Sequence, residues 1–352
     1  MASLARLQLE AERYAEASLA PGSRATYLRH IRYYLRFLAE HRLTAYALDG
    51  HPLIMSLYVT WLAPTRTYST VNTYLKGVRT LFVRLGRADP FAAPAVSRVL
   101  EGVRRIKGGG PTHRKRPILP WMLEEWAGFL HIDTSDAGLA TFTAMVFAFF
   151  GFFRKSTVAV AGGPGSRGAA GDPSDPPDLH QRRVLRRCDI RLDLANYCVW
   201  VTLRWTKTIQ GLERTLEVPL AGRPGSILDP VALFQRLQAR IPAPPDAHAF
   251  AFRAAGGELR PLTHRVFVAA IKRLAALSGL DAALYAGHSF RRGGASFAFA
   301  AGVSGELLQA HGDWRSDAYL VYLELSEEQR LEVSRAMQRA LAAWAAGARA
   351  QS

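Results

Sequence analysis

The chain has 352 residues, of which 49% are hydrophobic, and a formal net charge of +16. Its two cysteines, Cys188 and Cys198, lack the spacing of a zinc site and are too few for a disulfide-stabilised secreted domain. The length predicts two domains with buried cores. The excess of basic residues favours a nucleic-acid partner over the alternative, an arginine-rich protein that binds no polyanion.

The basic charge is concentrated in the first third of the chain. Residues 1–116 contain 19 basic and 7 acidic side chains, a net charge of +12, which leaves +4 for residues 117–352. Residues 1–20 carry three glutamates and lack the apolar core of a signal peptide. The apolar run 144–153 is too short to cross a bilayer and predicts a buried helix. We expect an intracellular protein without membrane segments.

Three segments of this basic region, 23–38, 52–62 and 69–85, have the periodicity of amphipathic helices. Their basic residues lie off the apolar stripe, which suits a small helical bundle lying on duplex DNA. A face that is merely solvated is the alternative. The side chains that we expect to bind DNA here are Arg24, Arg32, Lys76 and Arg79.

A basic joint follows at residues 104–117, with the sequence RRIKGGGPTHRKRP. Three consecutive glycines and two prolines predict a linker. Within it, Arg114, Lys115 and Arg116 are expected to contact DNA phosphates. The same run is typical of a nuclear-import signal, and the two interpretations are compatible. We therefore predict a helical domain over 1–116 that ends in this linker, and a second domain over 117–352.

The second domain combines helices with a few strands. A Gly/Pro-rich insertion near 161–178 is expected to be flexible. Alternating apolar residues predict strands over 184–192, 198–205 and 214–220, the last two forming a hairpin. The class is thus mainly α with a small antiparallel sheet. Helices are predicted over 119–131, 141–153, 229–240, 263–279, 289–301, 304–310, 316–324 and 326–346.

Basic and hydroxyl groups occupy characteristic places in this domain. Arg154 ends the apolar helix in GFFRKS, and Lys207 lies in the hairpin segment RWTKTIQ. His288 and Arg291 form a His-x-x-Arg motif in GHSFRRGGAS, and a tyrosine pair closes GDWRSDAYLVY. Each residue has an ordinary alternative: a helix-terminal cation, a solvated hairpin lysine, or a capping or core pair.

Together and in this order, these motifs resemble the tyrosine recombinases, or phage-integrase family. The sequences of these motifs are most similar to those in recombinases of eukaryotic crypton- and DIRS-type mobile elements. The resemblance covers roughly residues 20–330. It implies an N-terminal helical core-binding domain followed by a mixed α+β catalytic domain. It also implies site-specific cutting and rejoining of double-stranded DNA, without a cofactor or a metal.

The resemblance assigns a role to each residue. Arg154 and Arg291 would clamp the phosphate, because a guanidinium binds two oxygens and stays charged. Lys207 would give a proton to the departing 5′ oxygen, and His288 would act as a general base or hydrogen-bond partner. A tyrosine would form the covalent 3′-phosphotyrosyl link.

Tyr319 and Tyr322 share one helix face, so periodicity does not separate them. In the family, a His or Trp usually stands directly after a glycine and nine residues before the nucleophile. Counting back nine residues from Tyr322 leads to the position directly after Gly312, so this spacing favours Tyr322. The position itself holds Asp313, a departure from the pattern. We expect Trp314 to take the role. Two further residues bear on this site: His311, the reserve candidate, and Thr157, at a position that is often acidic in the family.

The resemblance also implies a homotetramer on paired DNA sites and a nuclear location. The amphipathic segment 327–346 would dock on a neighbouring protomer, although packing on its own domain is an equal alternative. Two other functions compete with recombination. One is a catalytically silent, recombinase-derived DNA-binding protein. The other is a type IB topoisomerase-like enzyme, which shares the chemistry but acts as a monomer.

Overall fold

The computed structural model describes residues 4–19, 21–107, 114–162, 184–206, 209, 214–323, 331, 334–335 and 337–338. The chain divides into two compact units, Met1–Thr112 and His113–Ser352. Among the described residues, none of the helices has the length and apolar character needed to cross a bilayer. The same residues contain no cluster of His, Cys, Asp or Glu side chains suited to a metal ion.

The first unit is helical throughout its regular structure. Local signals fix several helix starts: Pro52 opens one helix, with the His51 side chain accepting from Leu53 N, and Thr67 caps the next. The helices are α1 (Leu4–Ala17), α2 (Pro21–Glu40), α3 (Pro52–Leu62), α4 (Tyr68–Arg84) and α5 (Pro94–Lys107).

The core of this unit lies between α2 and α4 and between α3 and α5. Tyr34, Phe37 and Tyr58 are fully or almost fully buried, and the ring of Tyr58 contacts the other two rings. Helix α2 approaches α4 closely because Gly77 has no side chain; a Cβ there would lie 2.6 Å from the Cβ of His30. The apolar stripe that predicted amphipathic helices therefore faces a common interior.

The second unit is built around one buried helix. Its α7 is hydrophobic on all sides and almost every residue from Gly138 to Phe149 is buried, as expected of a central helix. The helices here are α6 (Pro120–Phe129), α7 (Asp136–Phe150), α8 (Lys155–Val158), α9 (Pro230–Arg240), α10 (His264–Leu277), α11 (His288–Ala300), α12 (Gly305–His311) and a 3₁₀ helix at Asp317–Tyr322.

A three-stranded antiparallel sheet packs on the same core. Its strands β1 (Ile190–Asp193), β2 (Cys198–Leu203) and β3 (Leu216–Ala221) lie in the order β1-β2-β3. On β2, Val199 and Val201 point inward, as the alternation predicts. A second, two-stranded ribbon consists of β4 (Phe252–Arg253) and β5 (Leu259–Arg260).

The predicted class, mainly helical with a small antiparallel sheet, is confirmed. The predictions missed α1, α5 and the short β4–β5 ribbon. The first strand is shorter than predicted, because 187–189 form a 3₁₀ turn before β1. Within the predicted helix 316–324, Asp317–Tyr322 is a 3₁₀ helix rather than an α-helix. Most of the predicted insertion at 161–178 and of the predicted helix 326–346 lies outside the described residues.

Candidate active site

Arg154 owes its position to a sharp turn at the end of α7. Helix α7 stops at Phe150, and Phe152 then adopts a left-handed backbone conformation with φ +51°. Such a φ is unusual for a bulky residue and must be maintained by surrounding contacts. The chain leaves this turn extended, so Arg154 precedes α8 and lines a small cavity together with Arg291.

Arg291 lies in the first turn of α11 and is only 2% exposed. Its Nη1 donates to Phe152 O at 2.6 Å and its Nη2 to Gly312 O at 2.7 Å. The guanidinium therefore joins the turn after α7 to the turn after α12. Helix α11 approaches α7 this closely because Gly294 packs directly against the Phe149 carbonyl.

The cavity is electrostatically suited to an anion. Burial lowers the pKa of Arg291, and the charge of Arg154 lowers it further. The Tyr322 side chain and the Asp313 carboxylate oppose these effects and raise the pKa. Two cations brought together in a largely desolvated space repel each other, so a bound anion would stabilise both.

Trp314 packs directly against this pair. Its ring centroid lies 3.8 Å from Arg291 Cζ, within cation–π distance, and 5.5 Å from the ring centroid of Tyr322. The side chain is 7% exposed. Within the described part of the chain, neither Trp314 Nε1 nor Arg291 Nε finds a hydrogen-bond acceptor.

The two candidate tyrosines have different surroundings. Tyr322 is half-buried, with its ring centroid 5.4 Å from Arg291 Cζ, and Ser296 Oγ donates to its backbone carbonyl at 3.0 Å. Tyr319 directs its hydroxyl against Gly305, and its ring contacts the ring of Trp314. The Arg291 guanidinium thus contacts Tyr322.

His288 and Lys207 are the remaining predicted catalytic residues. His288 is exposed and begins α11, and the preceding Gly287 packs against Lys155, so this end of α11 adjoins the Arg154–Lys155 segment. His288 does not line the cavity. Lys207 lies outside the described residues. The roles of all six residues remain predictions.

Sequence reasoning missed one buried connection. Asp313 is 8% exposed; its Oδ2 accepts from Thr206 Oγ1 at 2.9 Å, and its Oδ1 accepts from Arg214 Nη2. The sequence contained a signal, because an acid stood where the family pattern has His or Trp. The identity of its partners, about a hundred residues earlier in the chain, had no local signal.

His311, the reserve candidate, lines the cavity. Its Nε2 is hydrogen-bonded to Phe150 O at 2.8 Å, and its ring meets Phe152 edge-on. Burial lowers the pKa of His311, the bond to Phe150 opposes this effect, and the charge of Arg291 lowers the pKa further. These contacts place His311 behind the turn that positions Arg154.

The predicted DNA-binding side chains of the first unit differ in accessibility. Arg32 and Lys76 are exposed, and Arg24 is half-buried. Arg79 donates from Nε to Asp89 at 2.6 Å, so part of its charge is already compensated. Exposure alone therefore favours Arg32 and Lys76 as phosphate contacts.

Part of the predicted linker belongs to the second unit. Arg114, Lys115 and Arg116 are all exposed, but Lys115 Nζ donates to Ala283 O at 2.6 Å and the backbone N–H of Arg116 donates to Leu284 O at 2.8 Å. The segment lies along the turn that precedes α11, and that turn is close in sequence to His288.

No family model matches the sequence, and no curated protein matches it either. Its structure is similar to the Tn1549 transposon integrase in complex with transposon right end DNA. The TM-score is 0.52 at 15% identity, covering 89% of this chain and 99% of that one. The same integrase in complex with circular intermediate DNA gives a TM-score of 0.52 at 16% identity, covering 87% and 99%. This chain has the tyrosine-recombinase fold.

Proposed function

We propose that this chain is a site-specific DNA recombinase or integrase that cuts and rejoins double-stranded DNA through a 3′-phosphotyrosyl intermediate at Tyr322. One observation carries the proposal: the Arg291 guanidinium lines a cavity with Arg154 and also contacts Tyr322. A phosphate bound by both arginines would lie next to the tyrosine hydroxyl.

The reaction would be an in-line displacement at phosphorus. Tyr322 Oη forms a bond to phosphorus as its proton passes to His288, and the bond to the 5′ oxygen breaks. Arg154 and Arg291 stabilise the negative charge on the non-bridging oxygens. Lys207 protonates the departing 5′ oxygen and His288 assists proton transfer. Rejoining is the reverse displacement by a 5′ hydroxyl, and it needs no nucleotide hydrolysis because the phosphotyrosyl bond retains the bond energy.

Arg291 Nε and Trp314 Nε1 find no acceptor among the described residues, and this supports an oxygen ligand here. A buried N–H without an acceptor destabilises a protein by about 1–3 kcal/mol, and such groups are rare in folded proteins. A phosphate oxygen would satisfy them. Both atoms are buried, so a ligand would reach them only after neighbouring side chains move.

The proposed partner is double-stranded DNA. The net charge of +16 is concentrated in the basic first third, which suits phosphate contacts that release counterions. The Tn1549 transposon integrase structures with the same fold are complexes with transposon right end DNA and with circular intermediate DNA. We infer a comparable partner for this chain, bound by Arg24, Arg32, Lys76, Arg79, Arg114, Lys115 and Arg116.

We further propose a homotetramer on paired DNA sites. An apolar groove of about 600 Å³ lies beside the catalytic cluster, between the end of α7, strand β3 and helices α11 and α12. Phe297 and Leu307, at its edge, are 48% and 63% exposed. We expect the segment 327–346 of a neighbouring protomer to occupy this groove. A monomer that relaxes supercoils would instead indicate the topoisomerase-like alternative.

Kinship to crypton- and DIRS-type elements and a nuclear location also remain proposals. They rest on the motif wording and on the basic joint at residues 104–117. Microscopy of the full chain fused to a fluorescent protein tests the location. Nuclear accumulation that disappears when Arg114, Lys115 and Arg116 are replaced by Gln supports it, and retention in the cytoplasm contradicts it.

The catalytic claim is tested by separating cleavage from binding. Wild type, Arg154→Ala and Arg291→Ala are incubated with DNA flanking the gene; adducts are quantified on denaturing gels and binding by native gel shift. Removing one charge-stabilising donor should lower the cleavage rate by about 10²–10³-fold and binding far less. Equal losses of cleavage and of DNA binding would indicate that both arginines only bind phosphate. Tight binding without any adduct would favour the catalytically silent DNA-binding protein, which the departures at Asp313 and Thr157 suggest as the second candidate.

A further inference from the structure

We propose that Asp313 is a positioning residue that holds Thr206 and Arg214, the two ends of the connection that carries Lys207, beside the phosphate cavity. This inference rests on the proposed strand-transfer function. It assigns a purpose to an acid that replaces the His or Trp of the family pattern. Asp313 does not touch the reacting atoms in this proposal; it acts through Thr206 and Arg214.

The geometry of the carboxylate supports this role. Asp313 is 8% exposed, and its two oxygens are bound by different residues, Oδ2 by Thr206 Oγ1 at 2.9 Å and Oδ1 by Arg214 Nη2. Thr206 follows β2 and Arg214 precedes β3, so one side chain fastens both ends of the connection. Lys207 is the next residue after Thr206.

The same turn also orients the catalytic cluster. Asp313 has φ +51°, a left-handed conformation that Asp and Asn tolerate better than most residues. The preceding carbonyl, Gly312 O, accepts from Arg291, and the following side chain, Trp314, stacks on the same guanidinium. A single turn therefore links the base of the β2–β3 hairpin to Arg291 and to Trp314, the neighbour of Tyr322.

The charges favour a link of this kind over an ordinary surface ion pair. The Asp313 side chain is only 6% exposed, although its partner Arg214 is 48% exposed. Asp313 also acts on Arg291, whose pKa it raises. One buried carboxylate thus interacts with the hairpin and with the clamp at once, which an isolated pair on the surface would not do.

Substrate chemistry distinguishes positioning of a general acid from a structural role. When the bridging 5′ oxygen of the scissile phosphate is replaced by sulfur, the leaving thiolate departs without being protonated. Asp313→Asn tolerates the backbone conformation but removes the charge, and Arg214→Gln removes the partner. Arg223→Gln, an exposed arginine beyond β3, is the matched control.

We expect both variants to cleave the oxygen substrate about 10²-fold more slowly, the effect of a lost general acid, and the sulfur substrate at close to the wild-type rate. Lys207→Ala should show the same rescue, whereas Arg223→Gln should behave as wild type on both. Equal losses on the two substrates would overturn the inference.

A second readout does not depend on catalysis. Amide hydrogen exchange across 204–216 is compared without DNA for wild type, Asp313→Asn and Arg223→Gln. Faster exchange in Asp313→Asn alone supports the link, and unchanged exchange overturns it. If exchange responds as expected but wild type forms no adduct with either substrate, the link stands and the proposed strand-transfer function fails.

Discussion

Trp314 packs on Arg291 in the candidate site, and its ring and its indole N–H can be tested separately. The ring covers the guanidinium at 3.8 Å, whereas the indole N–H has no acceptor in the described part of the chain. Trp314→Phe keeps the ring and removes the donor; Trp314→Ala removes both.

We predict that Trp314→Ala lowers the free energy of unfolding by about 3–5 kcal/mol, whereas Trp314→Phe changes it by about 1 kcal/mol. If the indole N–H binds a phosphate oxygen, Trp314→Phe should still slow cleavage by about 10²-fold. Urea denaturation and single-turnover cleavage measure the two effects. Wild-type cleavage by Trp314→Phe would restrict the residue to packing.

We expect the buried side chain of His248 to make the free energy of unfolding depend on pH, independently of catalysis. Burial, reinforced by the charge of Arg187, lowers its pKa to about 3, and its Nδ1 accepts from the backbone N–H of Phe250 at 3.2 Å. The unfolded chain binds a proton near pH 6.5, the folded chain only near pH 3. The stability contributed by neutral His248 is therefore complete above about pH 6.5 and is lost as the pH falls through that window.

The variant His248→Asn keeps an acceptor for Phe250 but does not titrate. We expect its unfolding free energy to fall less steeply than that of wild type below pH 6.5, by up to about 1.4 kcal/mol per pH unit. Urea titrations at several pH values test this. Parallel curves for the two proteins would show that His248 is protonated in the folded state.

At the scale of elements, the periodic helices were predictable and the special turns were not. The apolar pattern placed α3 at its observed bounds and α4 within one residue, because hydrophobic periodicity directly records which face is buried. It did not predict that Phe152 takes a left-handed conformation or that Asp317–Tyr322 is a 3₁₀ helix. Those conformations depend on contacts made by distant residues such as Arg291.

Helix α4 offers a matched pair of basic residues for testing the DNA-binding face. Lys76 is exposed, whereas Arg79 is paired with Asp89. We predict that Lys76→Gln reduces the slope of log affinity against log salt by about 0.9, the value for one lost phosphate contact, and that Arg79→Gln reduces it less. Filter binding over a salt series measures both slopes. A larger effect for Arg79→Gln would reverse the assignment.

At the scale of the whole molecule, the motifs indicated which residues lie near one another better than they indicated how these residues are connected. Motif order singled out Arg154, Arg291, Trp314 and Tyr322, which the fold brings together although up to 168 positions separate them. The link from Asp313 to the hairpin was not predictable, since an ion pair between distant residues leaves no periodicity in a single sequence.

The two candidate tyrosines have different contacts. Tyr322, which the register argument favours, contacts Arg291, whereas the hydroxyl of Tyr319 packs against Gly305. Tyr319 is therefore the natural control for the nucleophile, since it has the same chemistry three residues away on the same 3₁₀ helix.

Covalent trapping tests the central claim most directly. Wild type, Tyr322→Phe and Tyr319→Phe are incubated with nicked duplexes taken from the DNA that flanks the gene, and the products are separated on a denaturing gel. We predict a protein–DNA adduct with wild type and Tyr319→Phe that is absent with Tyr322→Phe, while all three bind the duplex equally. An adduct of undiminished yield in Tyr322→Phe would contradict the assignment of Tyr322 as the nucleophile.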